Sequence, residues 1–315
     1  MEEYCIGVDI GGTDIKCGLF TLEGTLLSRW ELPTDLSDSG SHIISDTAAS
    51  IMEKLKGFHL TESDIKGVGI GVPGPVVGKD MVEVAVNLGW KEYRAAREME
   101  QITGFWTSVA NDANLAALGE MWEGSAAGCL NAAMITIGTG VGCGVVVNGK
   151  MADGFHGCAG EIGHIRLLAP EDIIGVCGCG RTGCLEQAAS GNGIVKLVKR
   201  EVIDRKRESS LSGLEAFSSR EIFDAAKAGD PVAAECCEKL MGYIARACSV
   251  IACVLDPEVI IIGGGVSGAG DYLIDGIRER FREMAFPPLK ETPIRIAALG
   301  NKAGIYGAAK MVRDM

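Results

Sequence analysis

The sequence predicts an α/β protein made of two related halves, each a mixed sheet with helices. Two observations carry that expectation. Apolar, β-branched runs of strand length alternate with longer stretches of helical periodicity from one end of the chain to the other. One pattern also occurs twice. "YCIGVDIGGTDIKCGLFTLEG", residues 4–24, and "AAMITIGTGVGCGVVVNGKM", residues 132–151, both read as apolar strand, glycine–threonine turn, second strand and glycine hairpin. Their separation of about 130 residues points to internal duplication. At 315 residues the chain is too long for one small core and suits one large domain or two lobes. The ligand is then expected in the crevice between the halves.

The elements follow in order. "YCIGVDI" is the first strand, residues 17–22 its hairpin partner, and "TLLSRWEL" a third strand of the meander. Residues 42–56 read as a helix. "IKGVGIGVPGPV" returns as a buried strand ending at Pro73. Residues 93–103 read as helical, "WTSVAND" as a short strand and residues 113–122 as another helix. After the second hairpin comes a cysteine-rich segment, then a mostly helical region, residues 190–253, interrupted by a Ser-rich surface loop at 209–219. "DPEVIIIGGG" is a buried strand running into a glycine turn, residues 271–284 a helix, "PIRIAAL" a late strand and "AGIYGAAKMV" a closing helix. No Pro-, Gly- or Ser-rich linker separates independent domains.

The net charge of −12 argues against a nucleic-acid partner, which needs a concentrated basic face. The one basic run, residues 196–207, also holds Glu201 and Asp204 and reads as a solvated helix face. An acidic surface repels anions at long range, so a phosphate site has to be built locally from backbone N–H groups or a metal. The first residues, "MEEYCIGVDIGG", have neither a charged n-region nor an apolar h-region, and no run approaches eighteen apolar residues. A cytoplasmic protein without a membrane partner is expected, and structural disulfides are rare there. Of the twelve cysteines, Cys5, Cys17, Cys129, Cys143, Cys236, Cys237, Cys248 and Cys253 are expected to be small buried hydrophobes.

Several short stretches carry chemistry. In "DIGGTDIK", Gly11 and Gly12 let the backbone approach an oxyanion, Thr13 offers a hydroxyl and an N–H, and Lys16 a positive charge. An ordinary glycine hairpin turn reads the same way. "TIGTGVG", residues 136–142, is its counterpart, and two such turns facing one crevice would grip β- and γ-phosphates. "GGGVSG", residues 263–268, satisfies G-x-G-x-x-G, but no acidic residue follows where a dinucleotide fold needs one. It fits a backbone platform for an adenine or ribose. "NDANLAALGE" places Asn111 and Asp112 at a strand end before a helix. One of them is an N-cap, or Asp112 is a general base with Asn111 orienting the bound hydroxyl.

Cys177, Cys179 and Cys184 are spaced C-x-C-x4-C with glycines between, and His164 lies upstream. Three thiolates and an imidazole suit tetrahedral zinc, which would order a glycine-rich loop. A redox pair and unligated thiols remain open. Glu161, three residues before His164, and Glu186, two after Cys184, are either solvated carboxylates or acceptors for sugar hydroxyls.

Together "DIGGTDIK", "GVPGPV", "NDANLAALGE", "TIGTGVG", "GEIGH", "CGCGRTGCLE" and "IIIGGG" resemble, in that order, the ROK family of sugar kinases and regulators, over nearly the whole chain. The resemblance implies a two-lobed actin-like ATPase (ribonuclease H-like) fold. Residues 1–115 would form a small lobe completed by the C-terminal helix 302–315. Residues 116–301 would form the large lobe carrying the zinc segment 164–184. It implies Asp112 as catalytic base and Asn111, Asp112, Glu161, His164 and Glu186 as sugar ligands. Asp9, Gly11, Gly12, Thr13 and Lys16, with Thr139 and Gly140, would face the phosphates of ATP and its Mg2+. Gly264 and Gly265 would lie near the nucleoside. Structural zinc would sit on His164, Cys177, Cys179 and Cys184, with His164 giving one ring nitrogen to the metal and one to the sugar. "NLGW", residues 87–90, looks like the glucokinase branch and tilts the expected reaction to phosphorylation of the 6-hydroxyl of glucose. N-acetylmannosamine or another hexose or N-acetylhexosamine is the alternative substrate, and a non-catalytic sugar-responsive regulator the alternative class. The regulators carry an N-terminal helix-turn-helix, for which a first strand at Tyr4 leaves no room. Family members are often dimers or tetramers, so a homo-oligomer is expected.

Overall fold

The computed structural model describes residues 3–315. The strands β1 (Tyr4–Ile10), β2 (Asp14–Thr21) and β3 (Leu26–Pro33) form an antiparallel meander. Helix α1 (Ile43–Gly57) leads to β4 (Ile65–Val72), which pairs parallel to β1. Then come β5 (Val76–Val77), β6 (Met81–Ala85) and β7 (Trp90–Arg94), α2 (Ala95–Thr103), β8 (Thr107–Asn111) and α3 (Asp112–Glu123). The second hairpin supplies β9 (Ala132–Ile137), β10 (Val141–Val147) and β11 (Lys150–Met151). The helices α4 (Glu186–Ala189), α5 (Gly191–Lys199), α6 (Ser219–Lys227) and α7 (Pro231–Leu255) follow. The chain continues through β12 (Val259–Gly263), α8 (Asp271–Met284), β13 (Ile294–Ile296) and α9 (Ala303–Arg313).

The larger sheets run β3-β2-β1-β4-β8 and β11-β10-β9-β12-β13. Each row opens on an antiparallel pairing and ends on two parallel ones, β1 with β4 and β4 with β8 in the first, β9 with β12 and β12 with β13 in the second. This repeat is the duplication announced by the two hairpins. The chain divides into two compact units. One comprises residues up to Leu130, Gly144–Ala159 and Ala298–Met315; the other comprises Asn131–Cys143 and Gly160–Ala297.

In the first unit β1 and β4 are buried along nearly their whole length, as strands covered on both faces must be. Ile6, Val8 and Ile70 pack with Ile44 and Ile51 of α1 on one face. Cys5 and Phe20 pack with Ile305 and Ala309 of α9 on the other. The approach of α9 is one that only glycine permits. A Cβ on Gly7 would lie 2.0 Å from the carbonyl oxygen of Ile305, and one on Gly69 2.0 Å from that of Ala308. Across α9, a Cβ on Gly119 of α3 would lie 2.2 Å from the oxygen of Ala303, and one on Gly307 1.8 Å from the oxygen of Leu115. The buried carboxylate of Glu120 accepts N–H bonds from Ser125 (2.7 Å), Ala298 (3.0 Å) and Leu299 (2.7 Å), tying α3 to the residues that lead into α9.

In the second unit the longest helix, α7, begins on a strong N-terminal signal. Asp230 accepts from the N–H groups of Val232 and Ala233, and Pro231 takes the first helical position. Burial raises the Asp230 carboxyl, but the N–H of Ala233 and the hydroxyl and N–H of Ser210 outweigh it and bring it down from 3.8 to about 2. Such a group stabilises the fold above its unfolded pKa, and the contribution disappears as pH falls towards its folded one. It is worth about 2 kcal/mol at neutral pH. Asp230→Ala is expected to lower the urea midpoint at pH 7, and its gap from the unmutated chain should narrow as pH drops to about 3. A gap of constant size across that range would contradict the assignment.

Several expectations are corrected. Residues 90–94 form β7 of a third, small sheet, β5-β6-β7, so the helix expected from Tyr93 begins at Ala95. Trp90 is buried with its indole N–H on the carbonyl of Gly40 and stacks on Tyr93, which fixes this stretch as extended. Of the cysteines expected to be buried, Cys253 is exposed and Cys129 half-buried. Cys253 lies on the solvent side of the last turns of α7, beside exposed Val254. The basic run is solvated at Lys196, Lys199, Arg205 and Lys206, but it is built around a buried acid rather than lying as a plain surface face. Glu201 is buried at its centre and binds Arg200, Arg205 and Arg207. The Ser-rich stretch is a loop only up to Ser218, which caps α6. Within it Leu211 and Phe217 are buried, and Ser209 and Ser210 bind Asp230.

Candidate functional site

Asn111 ends β8 and caps α3. Its Oδ1 accepts from the N–H groups of Ala113 (2.9 Å) and Asn114 (3.2 Å), and its Nδ2 donates to the carbonyl of Gly74 (3.2 Å). The cap therefore occupies the acceptor side of this amide, and one of its two N–H groups is on Gly74. Asp112 is the first helical residue, with Oδ1 on the Ala113 N–H at 2.8 Å. The next residue but one, Asn114, is buried and bonds the N–H of Val145 (3.3 Å) and Asp153 (3.4 Å), which holds the first turn of α3 in place.

The first glycine turn is shorter than the sequence suggested. It closes at Gly11, whose N–H reaches the oxygen of Asp14 at 3.0 Å, so β2 begins at Asp14. Lys16 therefore stands on a strand as the register partner of Asp9. Gly12 and Thr13 are exposed at the tip. Burial pushes the Asp9 carboxyl up, and Lys16 offsets only part of that rise. A Cβ on Gly304, in the first turn of α9, would lie 2.7 Å from Asp9 Cγ, so the glycine makes room for that carboxylate.

In the second unit, the N–H of Gly138 bonds the oxygen of Gly140 (3.0 Å), leaving Thr139 exposed. Gly140 meets Glu186 directly: a Cβ there would lie 2.1 Å from Glu186 Oε2, which accepts the N–H of Val141 at 3.1 Å. Gly264 has a left-handed φ of 83° and backs onto Ile137, where a Cβ would come within 2.5 Å of the carbonyl oxygen. Gly265 borders a cavity of about 310 Å³ with Phe223, Arg220, Ser219 and Lys227. Sequence reading missed these four. They lie on α6, about forty residues from the glycines, and only the fold brings them together.

The cysteine segment closes on itself. The ligand atoms of His164, Cys177, Cys179 and Cys184 all lie within 4.8 Å of one another. His164 Nδ1 is 3.6 Å from Cys177 Sγ, and Cys179 Sγ is 3.6 Å from Cys184 Sγ. Tetrahedral zinc, with Zn–S of about 2.3 Å and Zn–N of about 2.0–2.1 Å, calls for separations of about 3.6 Å (S to N) and about 3.8 Å (S to S). The group fits a metal of that kind. The Arg181 guanidinium and N–H draw the Cys179 thiol down to about 6, while burial raises Cys177 and pushes Cys184 up to about 12. No cysteine pair is disulfide-bonded among the described residues. The other face of His164 looks at a carboxylate, with Nε2 3.8 Å from Glu161 Oε2. Glu186 Oε1 lies 3.8 Å from Cys177 Sγ, so both acidic residues flank the group.

The profile of the ROK family matches residues 5–315. A glucokinase of Halalkalibacterium halodurans is 39% identical over 318 residues, 99% of this chain and 96% of that one. A ROK family glucokinase from Streptomyces griseus, solved in complex with glucose and AMPPNP, superposes with a TM-score of 0.80 at 34% identity, covering 99% of this chain and 100% of the other. A ROK hexokinase from Thermus thermophilus gives 0.83 at 30% identity, with 99% and 100% coverage. The fold is thus the actin-like ATPase fold with duplicated mixed sheets, and no helix among the described residues is long and apolar enough to cross a membrane. Profile, sequence and structure agree along the full length, and the chain belongs to the ROK family.

Proposed function

We propose that the chain is an ATP-dependent hexose kinase that phosphorylates the 6-hydroxyl of glucose. The observation that carries this is the full-length likeness to a glucokinase crystallised with glucose and an ATP analogue. Asp112 takes the proton of the 6-hydroxyl as that oxygen attacks the γ-phosphorus, the bond to the β,γ-bridging oxygen breaks, and ADP leaves. Asn111 orients the hydroxyl as a donor, which its cap geometry permits. Glu161, Glu186 and the outer ring nitrogen of His164 take the remaining sugar hydroxyls. Gly11, Gly12, Thr13, Thr139 and Gly140 offer backbone N–H groups to the phosphates, with Asp9 and Lys16 beside them. Gly264, Gly265 and the neighbouring cavity take the nucleoside. Magnesium bound with the nucleotide would be met by Asp9 and would neutralise phosphate charge. Zinc bound to His164, Cys177, Cys179 and Cys184 would fix the segment that carries Glu186. A cytoplasmic homo-oligomer suits this chemistry.

A panel assay tests the reading. ADP release from purified protein is measured with glucose, N-acetylmannosamine, N-acetylglucosamine and fructose. Glucose should give the highest kcat/KM. Equal, negligible turnover with all four sugars would remove the kinase assignment, and a higher value with an N-acetylhexosamine would move the substrate.

A further inference from the structure

We infer that Asp172 is a positioning residue for the sugar-binding segment: it clasps the chain between His164 and Cys177 onto α7 and thereby sets the metal group and the sugar affinity. The inference rests on the metal and sugar reading above.

Two of the four metal-group residues, His164 and Cys177, are separated by an irregular stretch without strand partners except at Arg166, which bridges to Cys184. Asp172 is the buried carboxylate of that stretch, 4% exposed. A charge so enclosed is retained only with partners, and three converge on it. Tyr243 donates its hydroxyl at 2.7 Å, Lys239 its ammonium at 2.9 Å and Arg200 its guanidinium at 3.3 Å. The same side chains hold the flanking backbone. The Tyr243 hydroxyl accepts the N–H of Ala169 (3.0 Å), and Arg200 donates to the carbonyl of Glu171 (2.7 Å). One turn along α7, Arg246 donates to the carbonyl of Leu167 (3.0 Å).

Tyr243, Lys239 and Arg246 all stand on α7, so this helix is the frame on which the stretch is laid. The second half of the ligand segment has its own tie: Gln187 accepts the N–H of Gly183 (2.8 Å) and donates to the carbonyl of Gly175 (2.7 Å). Gln187 thus brackets Cys177 at Gly175 and Gly183, while Asp172 holds the stretch that leads up to it. Although burial raises it, the Asp172 carboxyl is held below the usual carboxylate range by Lys239, Tyr243 and Arg200.

The test uses full-length, metal-loaded protein with Asp172→Asn, and Tyr243→Phe as the milder variant should the first fold poorly. Two readouts are taken: the rate of zinc transfer to a chromophoric chelator, and KM for glucose beside KM for ATP and kcat. Groups bonded directly to metal ligands typically affect metal affinity about 10–100-fold, and Asp172, which holds only the backbone between two of them, acts below that range. The expected result is zinc transfer faster by about 3–10-fold and a comparable rise in KM for glucose, with KM for ATP unchanged. Cys184→Ser is the control. If that control shifts KM for glucose while both variants release zinc and bind glucose as the unmutated chain does, the clasp is overturned. If the control itself leaves KM for glucose unchanged, the metal reading falls and the clasp falls with it.

Discussion

Replacing Asp112 with Asn should lower kcat by about 10²–10⁴-fold, the usual contribution of a positioned general base, and leave glucose binding within a few-fold. The amide matches the carboxylate in size and can still accept the Ala113 N–H that the aspartate holds at 2.8 Å. It cannot take the proton from the 6-hydroxyl. Isothermal titration with glucose, run beside the ADP assay, separates the two effects. A variant that turns over near the unmutated rate would mean that the base lies elsewhere. One that loses glucose affinity as steeply as rate would make Asp112 a binding residue.

The largest stability effect is expected at Gly307. A Cβ there would lie 1.8 Å from the carbonyl oxygen of Leu115 and 2.5 Å from its carbon. Both are backbone atoms of a helix, so no rotamer change relieves the clash and α9 must lift from α3. Alanine is the better helix former by roughly 0.5–1 kcal/mol, but overpacking of this kind costs up to about 3 kcal/mol or more. The clash wins. Gly307→Ala should lower Tm by about 6–12 °C for a cooperative unit of this size. Gly57→Ala is the control. A Cβ there meets nothing within 4 Å, and the residue has an ordinary helical φ, so its Tm should hold or rise slightly. Coincident melting curves for G307A and the unmutated chain would refute the close-crossing argument.

Much of the architecture was legible in the residues because its signals are local. The two hairpins announce themselves by apolar strands around glycine turns, and α8 spans the range its periodicity predicts. The small third sheet was not legible. Its strands are two to five residues long, and "WKEYR" runs into a helix without a break in periodicity. The clustering of the thiols was readable because Cys177, Cys179 and Cys184 are near neighbours in the chain. The placement of Glu186 against Gly140 and the hold of α7 on Asp172 were not, since each joins residues forty or more positions apart. Asn111 illustrates how local a capping signal is: its oxygen caps α3, as a strand-end Asn before a helix predicts, while the partner of its amide nitrogen, the carbonyl of Gly74, lies 37 positions away and could not be read from the sequence.

The seat of α9 against Gly7, Gly69 and Gly119 also governs how the molecule comes into being on the ribosome. The first 130 residues expose the apolar backs of β1 and β4 until residues 303–313 have been synthesised, because that helix covers them. At a translation speed of about 5–20 residues per second the nascent chain waits roughly 10–35 s with this surface bare. Its early portion therefore carries exposed apolar surface during synthesis, and that surface is covered only once residues 303–313 have emerged.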